Sequence, residues 1–445
     1  MSDNPAPGLI IAAPASGSGK TLFTQALLRH LKTTNIAVAS AKSGPDYIDP
    51  HFHTLASGRT CINLDSWAMR AGHLTHLIDQ LSIGTDLIIC EGVMGLFDGA
   101  GIDDENEDGS TASLARKTGW PVLLVVDAAK QAQSVAALVR GFVNHAPDVE
   151  VAGVIFNRVG SPAHEALLRK SMQNHLPDVG VLGALPRSSD LVLPERHLGL
   201  VQAQEHKSHD VFLEIAAQWV VKHIDIAKLV ALARPAKPQP MPAIDITLAP
   251  LGSRIAVAND VAFAFSYPTI LQGWRNQGAE ITLFSPLLGD HPDETCDAIY
   301  LPGGYPELHA GNLSTNGFLD GLKSAVKRDA CIYGECGGFM VLGQGLVDAD
   351  GARHEMAGLL AVETSFATRK LHLGYRLTTL TTEAPIGKKG QRFKGHEFHY
   401  ASITSEPQGE SLFKATTTQG DSLDDIGCTS GKVAGSFIHL IDQVD

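Results

Sequence analysis

The stretch Ala13–Thr21, which reads Ala-Pro-Ala-Ser-Gly-Ser-Gly-Lys-Thr, has the residue types and spacing of a phosphate-binding loop. It lies between the apolar run Leu9–Ala12 and the helix-like run Leu22–Leu28, the strand–turn–helix context that such a loop needs. Its glycines turn backbone N–H groups toward an anion, and the following helix N-terminus adds partial positive charge. Lys20 would reach the β- and γ-phosphates, and the Thr21 hydroxyl would hold Mg²⁺. The alternative is a Ser/Gly-rich turn with an exposed lysine.

Two residues of this stretch narrow its interpretation. Pro14 stands where the general pattern has its first glycine, which is a departure from that pattern. Ala15 stands where dimerising partition-type ATPases with this loop shape carry a lysine. The sequence therefore argues against a cytoskeletal or DNA-partition ATPase.

Carboxylates follow the next predicted strands. Lys42, Asp46 and Asp49 come after the second strand, and Glu91 and Asp98 come after the third. Mg²⁺ prefers hard oxygen ligands and usually takes one or two carboxylates beside phosphates. Glu91 ends an apolar strand where a second metal carboxylate is expected, and the three aspartates are further candidates. The alternative is that these acids cap turns, where Asp is common.

The segment Gly334–Gly338, Gly-Glu-Cys-Gly-Gly, has the pattern of a nucleophile elbow between a strand and a helix. Its glycines permit the strained turn that exposes the Cys336 thiol, and the helix N-terminus is expected to lower the pKa of that thiol. The backbone N–H of Gly337 would serve an oxyanion hole, with a second donor from the Gly303–Gly304 turn. The alternative is a buried structural cysteine.

A thiolate needs a general base, and four histidines are candidates. His439 follows a short apolar strand near the C-terminus, His396 and His399 lie in His-Glu-Phe-His, and His372 lies upstream. The spacing of His396 and His399 also suggests a metal site, but no third ligand stands out and Glu397 is expected to be solvated. The residues alone leave the choice of base open.

Short β-like runs alternate with helical patterns over residues 8–205, which predicts an α/β domain with a parallel sheet covered on both faces. Ligands of such sheets bind at the carboxyl ends of the strands, where the candidate residues lie. The predicted strands are Leu9–Ala13, Ile36–Ala41, Asp86–Cys90, Val122–Asp127, Val151–Asn157 and Val179–Ala184, with helices at Gln131–His145 and Ala163–His175 among others.

A second α/β domain is predicted after a linker. Val211–Val230 reads as a helix, and residues 234–250, with five prolines, read as an extended linker. Alternation then restarts, with strands at Ile255–Ala258, Ile281–Phe284, Ala298–Leu301 and Cys331–Tyr333 and helices near Thr269–Gln277 and Gly317–Arg328. The predicted domains are therefore 1–233 and 251–445.

Composition limits the class of protein. A chain of 445 residues exceeds one ordinary core, and a formal charge of −13 argues against a nucleic-acid or anionic-membrane surface. No apolar run is long enough to span a membrane, and no signal-peptide pattern is seen. Six cysteines without a Cys-x-x-Cys pair indicate a reducing, cytoplasmic setting and disfavour zinc.

These motifs together resemble the cobyrinic/hydrogenobyrinic acid a,c-diamide synthase family of cobalamin biosynthesis, over nearly the whole chain. The motifs that carry the resemblance are Ala13–Thr21, Gly44–Pro50, Glu91–Gly99, Leu301–Leu308, Tyr333–Gly338 and Gly435–His439. The resemblance implies a dethiobiotin-synthetase-like P-loop domain followed by a class I glutamine amidotransferase domain. The residues of Pro194–Leu200 resemble most those of the aerobic, hydrogenobyrinic acid branch of the family.

The resemblance also implies roles for particular residues. Cys336 attacks glutamine with His439 as its base; the acid that usually lies two residues after this histidine is replaced by Ile441, as in the family. Lys42 would balance charge during phosphoryl transfer. The other implied assignments are Ser16, Gly17, Ser18, Gly19, Lys20 and Thr21 for phosphate, Thr21, Asp49 and Glu91 for Mg²⁺, and Asp46, Tyr47 and Asp98 near the acceptor carboxylate. From their positions after predicted strands, Asn157 and Pro186 are candidates to line a purine pocket. A corrinoid acceptor carries several carboxylates, and Arg187, Arg196 and Lys42 are candidates to contact them.

The expected reaction is amidation of two corrinoid side-chain carboxylates, with ATP as co-substrate, Mg²⁺ as cofactor and ammonia from glutamine. The expected partners are small molecules, without nucleic acid or membrane, and a homodimer stays open. Three alternatives remain: another corrinoid amide ligase such as cobyric acid synthase, a nucleotide switch with an inactive glutaminase-like domain, and a dethiobiotin synthetase fused to an unrelated domain.

Overall fold

The chain forms two compact units. A computed structural model describes residues 5–101, 107–191, 195–196, 199–200, 209–238, 248–405 and 410–444, with backbone only for 195–196 and 199–200. One unit comprises residues 1–67 and 71–243, and the other comprises residues 68–70 and 244–445. Within the described ranges, no helix is long and apolar enough to cross a membrane.

The first unit is built on a sheet in which seven parallel strands run in the order β3-β2-β4-β1-β5-β6-β7, and β10 adds antiparallel to β1. The strands are β1 Pro7–Ala12, β2 Val38–Ser43, β3 Ile62–Leu64, β4 Leu87–Glu91, β5 Val122–Asp127, β6 Val151–Val159, β7 Gly180–Pro186, β8 Glu195–Arg196, β9 Gly199–Leu200 and β10 Arg234–Pro235. The helices are α1 Lys20–Thr33, α2 Asp49–Ser57, α3 Ala71–Ser82, α4 Thr111–Thr118, α5 Val135–His145, α6 Pro162–His175, α7 His209–His223 and α8 Ile226–Leu232.

Both faces of this sheet are covered. Leu9 and Ile11 of β1 pack in one apolar cluster with Phe23 of α1 and Leu213 of α7. Ile10, which points to the opposite face because side chains alternate along a strand, is also fully buried. Burial on both faces explains the near-continuous apolar runs, and the predicted parallel α/β sheet is confirmed.

The predicted helix Val211–Val230 is wrong in its continuity, because α7 ends at His223 and α8 begins at Ile226. Ile224 forms an antiparallel bridge with Gly183 of β7, and the N–H of Asp225 donates to the Leu182 carbonyl at 2.9 Å. The side chain of Asp225 then caps α8 by accepting from the N–H of Lys228. Contacts with the sheet edge therefore break a pattern that local propensity favours.

The second unit is built on a ten-stranded mixed sheet in the order β12-β11-β13-β14-β23-β22-β21-β18-β19-β24, beside a four-stranded sheet β16-β15-β17-β20. The strands are β11 Arg254–Ala258, β12 Glu280–Phe284, β13 Ala298–Leu301, β14 Cys331–Glu335, β15 Gly345–Val347, β16 Arg353–Glu355, β17 Glu363–Ser365, β18 His372–Leu380, β19 Arg392–His399, β20 Ser402–Ser405, β21 Ser411–Thr416, β22 Ile426–Ser430, β23 Val433–Ser436 and β24 Ile438–Gln443. The helices are α9 Pro268–Asn276, α10 Ala310–Leu313, α11 Phe318–Lys327 and α12 Gly337–Leu342.

The path of the last two strands shapes this sheet. Only Phe437 separates β23 from β24, yet β23 pairs with β14 near the middle of the order and β24 pairs with β19 at its end. The sheet must therefore curl back on itself, and β24 returns His439 to the side of β14 and Cys336.

Gly338 of α12 provides a test of this packing, because a Cβ added there would lie 2.0 Å from the Leu301 carbonyl oxygen of β13. We expect Gly338→Ala to lower the free energy of unfolding by about 3 kcal/mol, since backbone must move to admit the methyl group. Denaturant unfolding measures this change. The matched control is Gly311→Ala in α10, where the added Cβ meets its first neighbour at an ordinary 3.6 Å; equal stability of the two variants would contradict the expectation.

Candidate functional site

The phosphate-loop residues join β1 to α1 in the predicted order. Gly17 and Gly19 have φ of +75° and +94°, so both need the left-handed backbone that glycine adopts freely. The Asn157 amide donates to the Ser18 carbonyl at 2.9 Å, and the Ser18 hydroxyl donates to the Ala15 carbonyl at 2.8 Å. The loop is thus braced from β6 and from within, while Ser16 stays exposed.

Lys20 connects this loop to the segment after β4. Its ammonium donates to the carbonyl of Met94, a residue whose φ of +46° is unusual for a non-glycine side chain. Burial lowers the pKa of Lys20, while the carboxylate of Glu91 opposes that shift. The lysine is therefore held beside the acidic cluster described next.

Lys42, Asp49 and Glu91 form a buried ion cluster at the carboxyl ends of β2 and β4. Lys42 Nζ donates to Asp49 Oδ2 at 2.6 Å and to Glu91 Oε1 at 2.8 Å. The Thr21 hydroxyl donates to the same Glu91 oxygen at 2.8 Å and lies 3.4 Å from Asp49 Oδ2. His53 Nε2 lies 2.8 Å from Glu91 Oε2. Residues from β2, α1, α2 and β4 thus converge on one point.

The charges in this cluster shift one another's protonation. Burial and the neighbouring Asp46 raise the pKa of Asp49 to about 7. Although burial acts in the opposite direction, Lys42 and His53 hold the pKa of Glu91 below its usual range. Burial likewise opposes, but Asp49 and Glu91 outweigh it and raise the pKa of Lys42. Lys42 stays charged, and it supplies the cation that two buried carboxylates require.

The loop between β2 and α2 is shaped by local hydrogen bonds. Asp46 Oδ1 accepts from the N–H groups of Ile48 and Asp49 at 2.8 and 3.0 Å, which starts α2 and places Asp49 toward Lys42. The Asn63 amide, from β3, donates to the carbonyls of Gly44 and Asp46, both at 2.8 Å. Asn63 and His53 belong to no motif of the sequence, so their residue types and spacing do not indicate a place in this site.

The remaining predicted residues of this unit lie around the loop to different degrees. Tyr47, two residues before Asp49, is buried. Asp98 is exposed, and its carboxylate accepts from the Gly95 N–H at 2.8 Å. Asn157 Oδ1 accepts from the Arg158 N–H at 2.9 Å, so its amide holds backbone on both sides. Pro186 ends β7, and Arg187 is exposed. The structure describes no side chain in residues 194–200, which include Arg196. Their predicted roles stay predictions.

Cys336 lies at the turn between β14 and α12 with φ of +45°, a strained value for a non-glycine residue. Its N–H donates to the Ser436 carbonyl at 2.8 Å, and its carbonyl accepts from the Met340 N–H at 3.0 Å. This is the local geometry of a nucleophile elbow, as the glycine pattern predicts.

Gly303 lies between Cys336 and His439. A Cβ placed on Gly303 would lie 2.4 Å from His439 Cε1, 3.0 Å from Nε2 and 3.2 Å from the Cys336 Cβ, so only glycine fits between the two side chains. A Cβ on Gly337 would lie 3.0 Å from the Gly304 N. The two predicted oxyanion donors therefore adjoin each other at the elbow.

His439 is the histidine that the structure brings to Cys336. His396 lies beside it as its cross-strand partner in β19. His399 Nδ1 lies 3.0 Å from the Ala401 carbonyl and its Nε2 lies 3.0 Å from Glu397 Oε1. His372 stacks on His399 with ring centroids 4.7 Å apart. Of the four candidate bases, His439 alone is placed here against both Gly303 and the elbow.

The cluster of His372, Glu397 and His399 has potential metal-ligand atoms within 4.8 Å of one another. The expectation that Glu397 is solvated is wrong, since Arg376 Nε donates to Glu397 Oε2 at 2.8 Å and the residue is buried. Burial acts against the shift, but His399 and Arg376 lower the pKa of Glu397 to about 2. Its charge is thus neutralised by protein groups.

The protonation of the elbow differs from the sequence-based expectation. Burial raises the pKa of the Cys336 thiol, and the negative charge of Glu307 adds to the rise. Burial, together with the neighbouring His396 and His399, lowers the pKa of His439 to about 3. The prediction of a lowered thiol pKa is wrong, because desolvation outweighs the effect of the short helix α12. The resting pair is a neutral thiol and a neutral imidazole.

Comparison with known proteins agrees with both halves of the chain. Residues 9–201 match the CobQ/CobB/MinD/ParA nucleotide binding domain family, and residues 254–444 match the CobB/CobQ-like glutamine amidotransferase domain family. A solved glutamine amidotransferase structure covers 42% of this chain and 90% of its own, at 17% identity and a TM-score of 0.30, a likeness too low to carry an argument.

Full-length relatives are also similar. Hydrogenobyrinate a,c-diamide synthase from Brucella anthropi is 51% identical over 98% of both chains. The proteins of the same name from Rhizobium meliloti and Rhodobacter capsulatus are 50% and 47% identical, over 98% and 99% of this chain and 99% and 100% of their own.

A P-loop nucleotide-binding domain followed by a glutamine amidotransferase domain defines a glutamine-hydrolysing amidoligase. At this identity and coverage, the chain belongs to the hydrogenobyrinate a,c-diamide synthase family. The resemblance inferred from the motifs is confirmed.

The ion cluster predicts a strong effect of removing its cation. We expect Lys42→Met to destabilise the first unit by about 3–5 kcal/mol, because the buried carboxyl groups of Asp49 and Glu91 would lose the ammonium that they share. Denaturant unfolding with and without Mg²⁺ measures this loss. The control is Lys228→Met, whose ammonium is exposed and pairs with Asp225 at 3.0 Å, so its effect should stay within about 0.5 kcal/mol. A Lys42→Met protein as stable as the control would show that the cluster does not require its lysine.

Proposed function

We propose that this chain amidates the a and c side-chain carboxylates of hydrogenobyrinic acid, with ATP and glutamine as co-substrates. The proposal is supported by the names of relatives at 47–51% identity over nearly the whole chain. The observation that carries it is that a single chain holds both half-sites: a phosphate loop with a buried lysine–carboxylate cluster, and a strained cysteine with its histidine.

In the first half-reaction, a corrinoid carboxylate oxygen attacks the γ-phosphorus of ATP, the bond to the β-γ bridging oxygen breaks, and an acyl phosphate and ADP form. A free carboxylate is a poor acyl donor, and this step gives it a leaving group. Lys20 and Lys42 stabilise the charge on the transferring phosphoryl group. The ammonium of Lys42 is already fixed by two carboxylates, so little reorganisation is needed during the step.

The residues also fit a Mg²⁺ ion. Thr21, Asp49 and Glu91 supply a hydroxyl and two carboxylates, the hard oxygen donors that Mg²⁺ prefers beside phosphates. When bound, Mg²⁺ would neutralise phosphate charge. Asp46, Tyr47 and Asp98 follow the same strands and are proposed to face the acceptor, and Asn157 and Pro186 the purine.

In the second half-reaction, Cys336 Sγ attacks the glutamine carboxamide carbon and gives its proton to His439. The N–H groups at Gly337 and Gly304 stabilise the oxyanion. His439 then returns the proton to the leaving nitrogen, which departs as ammonia, and water hydrolyses the thioester to glutamate. Ammonia displaces phosphate from the acyl phosphate and leaves an amide. We assign residues 1–233 to the first half-reaction and residues 251–445 to the second.

Mass spectrometry of the products tests the acceptor. With hydrogenobyrinic acid, ATP, Mg²⁺ and glutamine, we expect a mass gain that corresponds to two amides. Cobyrinic acid serves as the parallel acceptor, and a diamide already formed at a and c tests the cobyric acid synthase alternative. Two amides on cobyrinic acid and none on hydrogenobyrinic acid would reverse the assignment, and further amides on the diamide would favour the alternative.

Two variants separate the half-reactions. Cys336→Ala should lose glutamine-dependent synthesis while synthesis from ammonium chloride continues, because only the glutaminase nucleophile is gone. Lys20→Met should lose both, because the phosphoryl group loses its stabilising charge. Amide formation from each nitrogen source is the readout. A Cys336→Ala protein that folds but cannot use ammonia would contradict the two-site mechanism, and absent glutaminase activity in the unmodified enzyme would support the switch alternative.

A further inference from the structure

The motifs of the proposed glutaminase site do not include the group that orients His439. In related amidotransferases an acid lies two residues after the histidine, but here that position is Ile441, which is buried. A histidine that accepts a thiol proton at Nε2 must carry its own proton at Nδ1, and an acceptor at Nδ1 fixes that tautomer. Some group in this fold has to supply it.

Glu335, the residue immediately before the nucleophile, faces His439. Its Oε2 lies 3.7 Å from His439 Nδ1, and both side chains are fully enclosed. We propose that Glu335 is the positioning residue that orients His439 and stabilises its imidazolium, in place of the missing acid at position 441. The inference rests on the proposed glutaminase half-reaction and names how its base is held.

Donors from β13 and β24 fix Glu335 in this position. The Tyr300 hydroxyl donates to Oε2 at 2.8 Å, and the N–H of Leu440, the residue after the histidine, donates to Oε1 at 3.1 Å. The carboxyl group is thus tied to the strand that carries His439. A separation of 3.7 Å is longer than a hydrogen bond. Catalytic hydrogen bonds are often long before substrate binds, and a shift of less than about 1 Å would close this one.

The protonation state of Glu335 decides whether this arrangement works. As a carboxylate, it accepts from Nδ1–H and leaves Nε2 free to take the Cys336 proton. As a neutral acid, it would donate to Nδ1 and place the imidazole proton on Nε2, the wrong tautomer. Burial raises the pKa of Glu335 to about 7, whereas hydrogen bonds from Leu440 and Tyr300 lower it.

Glutaminase activity should therefore be lost as the pH falls through about 7, the pKa of Glu335. The pKa of His439 itself, about 3, lies far below this range. The other ionisable groups that face the pair are His396, His399 and Glu397 from β19, Tyr300 from β13, Tyr333 from β14 itself, Glu307, and the thiol of Cys336. A variant of Glu335 is needed to assign the loss to it.

Glu335→Gln keeps the size of the side chain and removes its charge. We expect kcat for glutamine hydrolysis to fall about 10- to 100-fold with KM unchanged, and the loss of activity near pH 7 to disappear. Synthesis from ammonium chloride should continue at the unmodified rate. The matched control is Glu363→Gln, which removes a carboxylate of the same domain that pairs with Arg353 at 2.7 Å and should leave kcat and the pH profile unchanged.

Tyr300→Phe provides a second measurement if Glu335→Gln does not fold. It keeps the ring and removes one donor to the carboxylate, so the pKa of Glu335 rises and the acid limb of the kcat profile moves to higher pH. The rival orienting group is the backbone of Phe265, which hydrogen-bonds to His439.

Three outcomes decide the proposal. A folded Glu335→Gln with unchanged kcat and pH profile, or a Tyr300→Phe profile that does not move, would assign the orientation to Phe265 and overturn it. Altered KM and equal loss of ammonia-dependent synthesis would indicate a merely structural role and also overturn it. An unmodified enzyme that makes no amide from glutamine would instead refute the proposed function, and this inference with it.

Discussion

The buried pairing of Lys42 with Asp49 and Glu91 is the constraint on which the first unit depends. Two carboxylates at 9% and 0% exposure cannot both stay ionised without a cation. The lysine therefore fixes the ends of β2 and β4 relative to the start of α2. Thr21 joins the same cluster from α1 and sets the phosphate loop against it. These side chains thereby hold one another in place, which is the preorganisation that the proposed phosphoryl transfer requires.

Desolvation has the opposite consequence in the second unit. There it keeps Cys336 and His439 neutral, because burial raises the pKa of the thiol and lowers the pKa of the imidazole. A neutral pair cannot attack unless the proton moves as the new bond forms, so the orientation of the imidazole matters more than its resting charge. This explains why a carboxyl group tied to β24 by the Leu440 N–H would be useful at that position.

Much of the fold and the loops at the centres of both candidate sites could be predicted, because short contiguous stretches of sequence determine their local structure. Ala13–Thr21 and Gly334–Gly338 are contiguous motifs whose backbone geometry depends on their own glycines. The residues alone leave the choice of His439 open, because its position depends on the pairing of β23 with β14 and of β24 with β19, which joins distant segments. Asn63 and Glu335 act through backbone contacts and burial that no spacing records. The prediction of a lowered pKa for the Cys336 thiol is wrong because the pKa depends on burial, which is a property of the assembled domain and not of the motif.

Two non-glycine residues with left-handed backbone lie at the two sites, Met94 with φ of +46° and Cys336 with φ of +45°. Such conformations cost about 1–3 kcal/mol each and persist only where neighbouring contacts determine them. Met94 is held between the hydrogen bonds of Gly92 to Ile11 and of Leu96 to Ala13, and it presents its carbonyl to Lys20. Cys336 is held by Ser436 in the same way. In both units, a strained residue near the end of a strand therefore places an atom that the proposed reactions use, the Met94 carbonyl beside Lys20 and the Cys336 thiol.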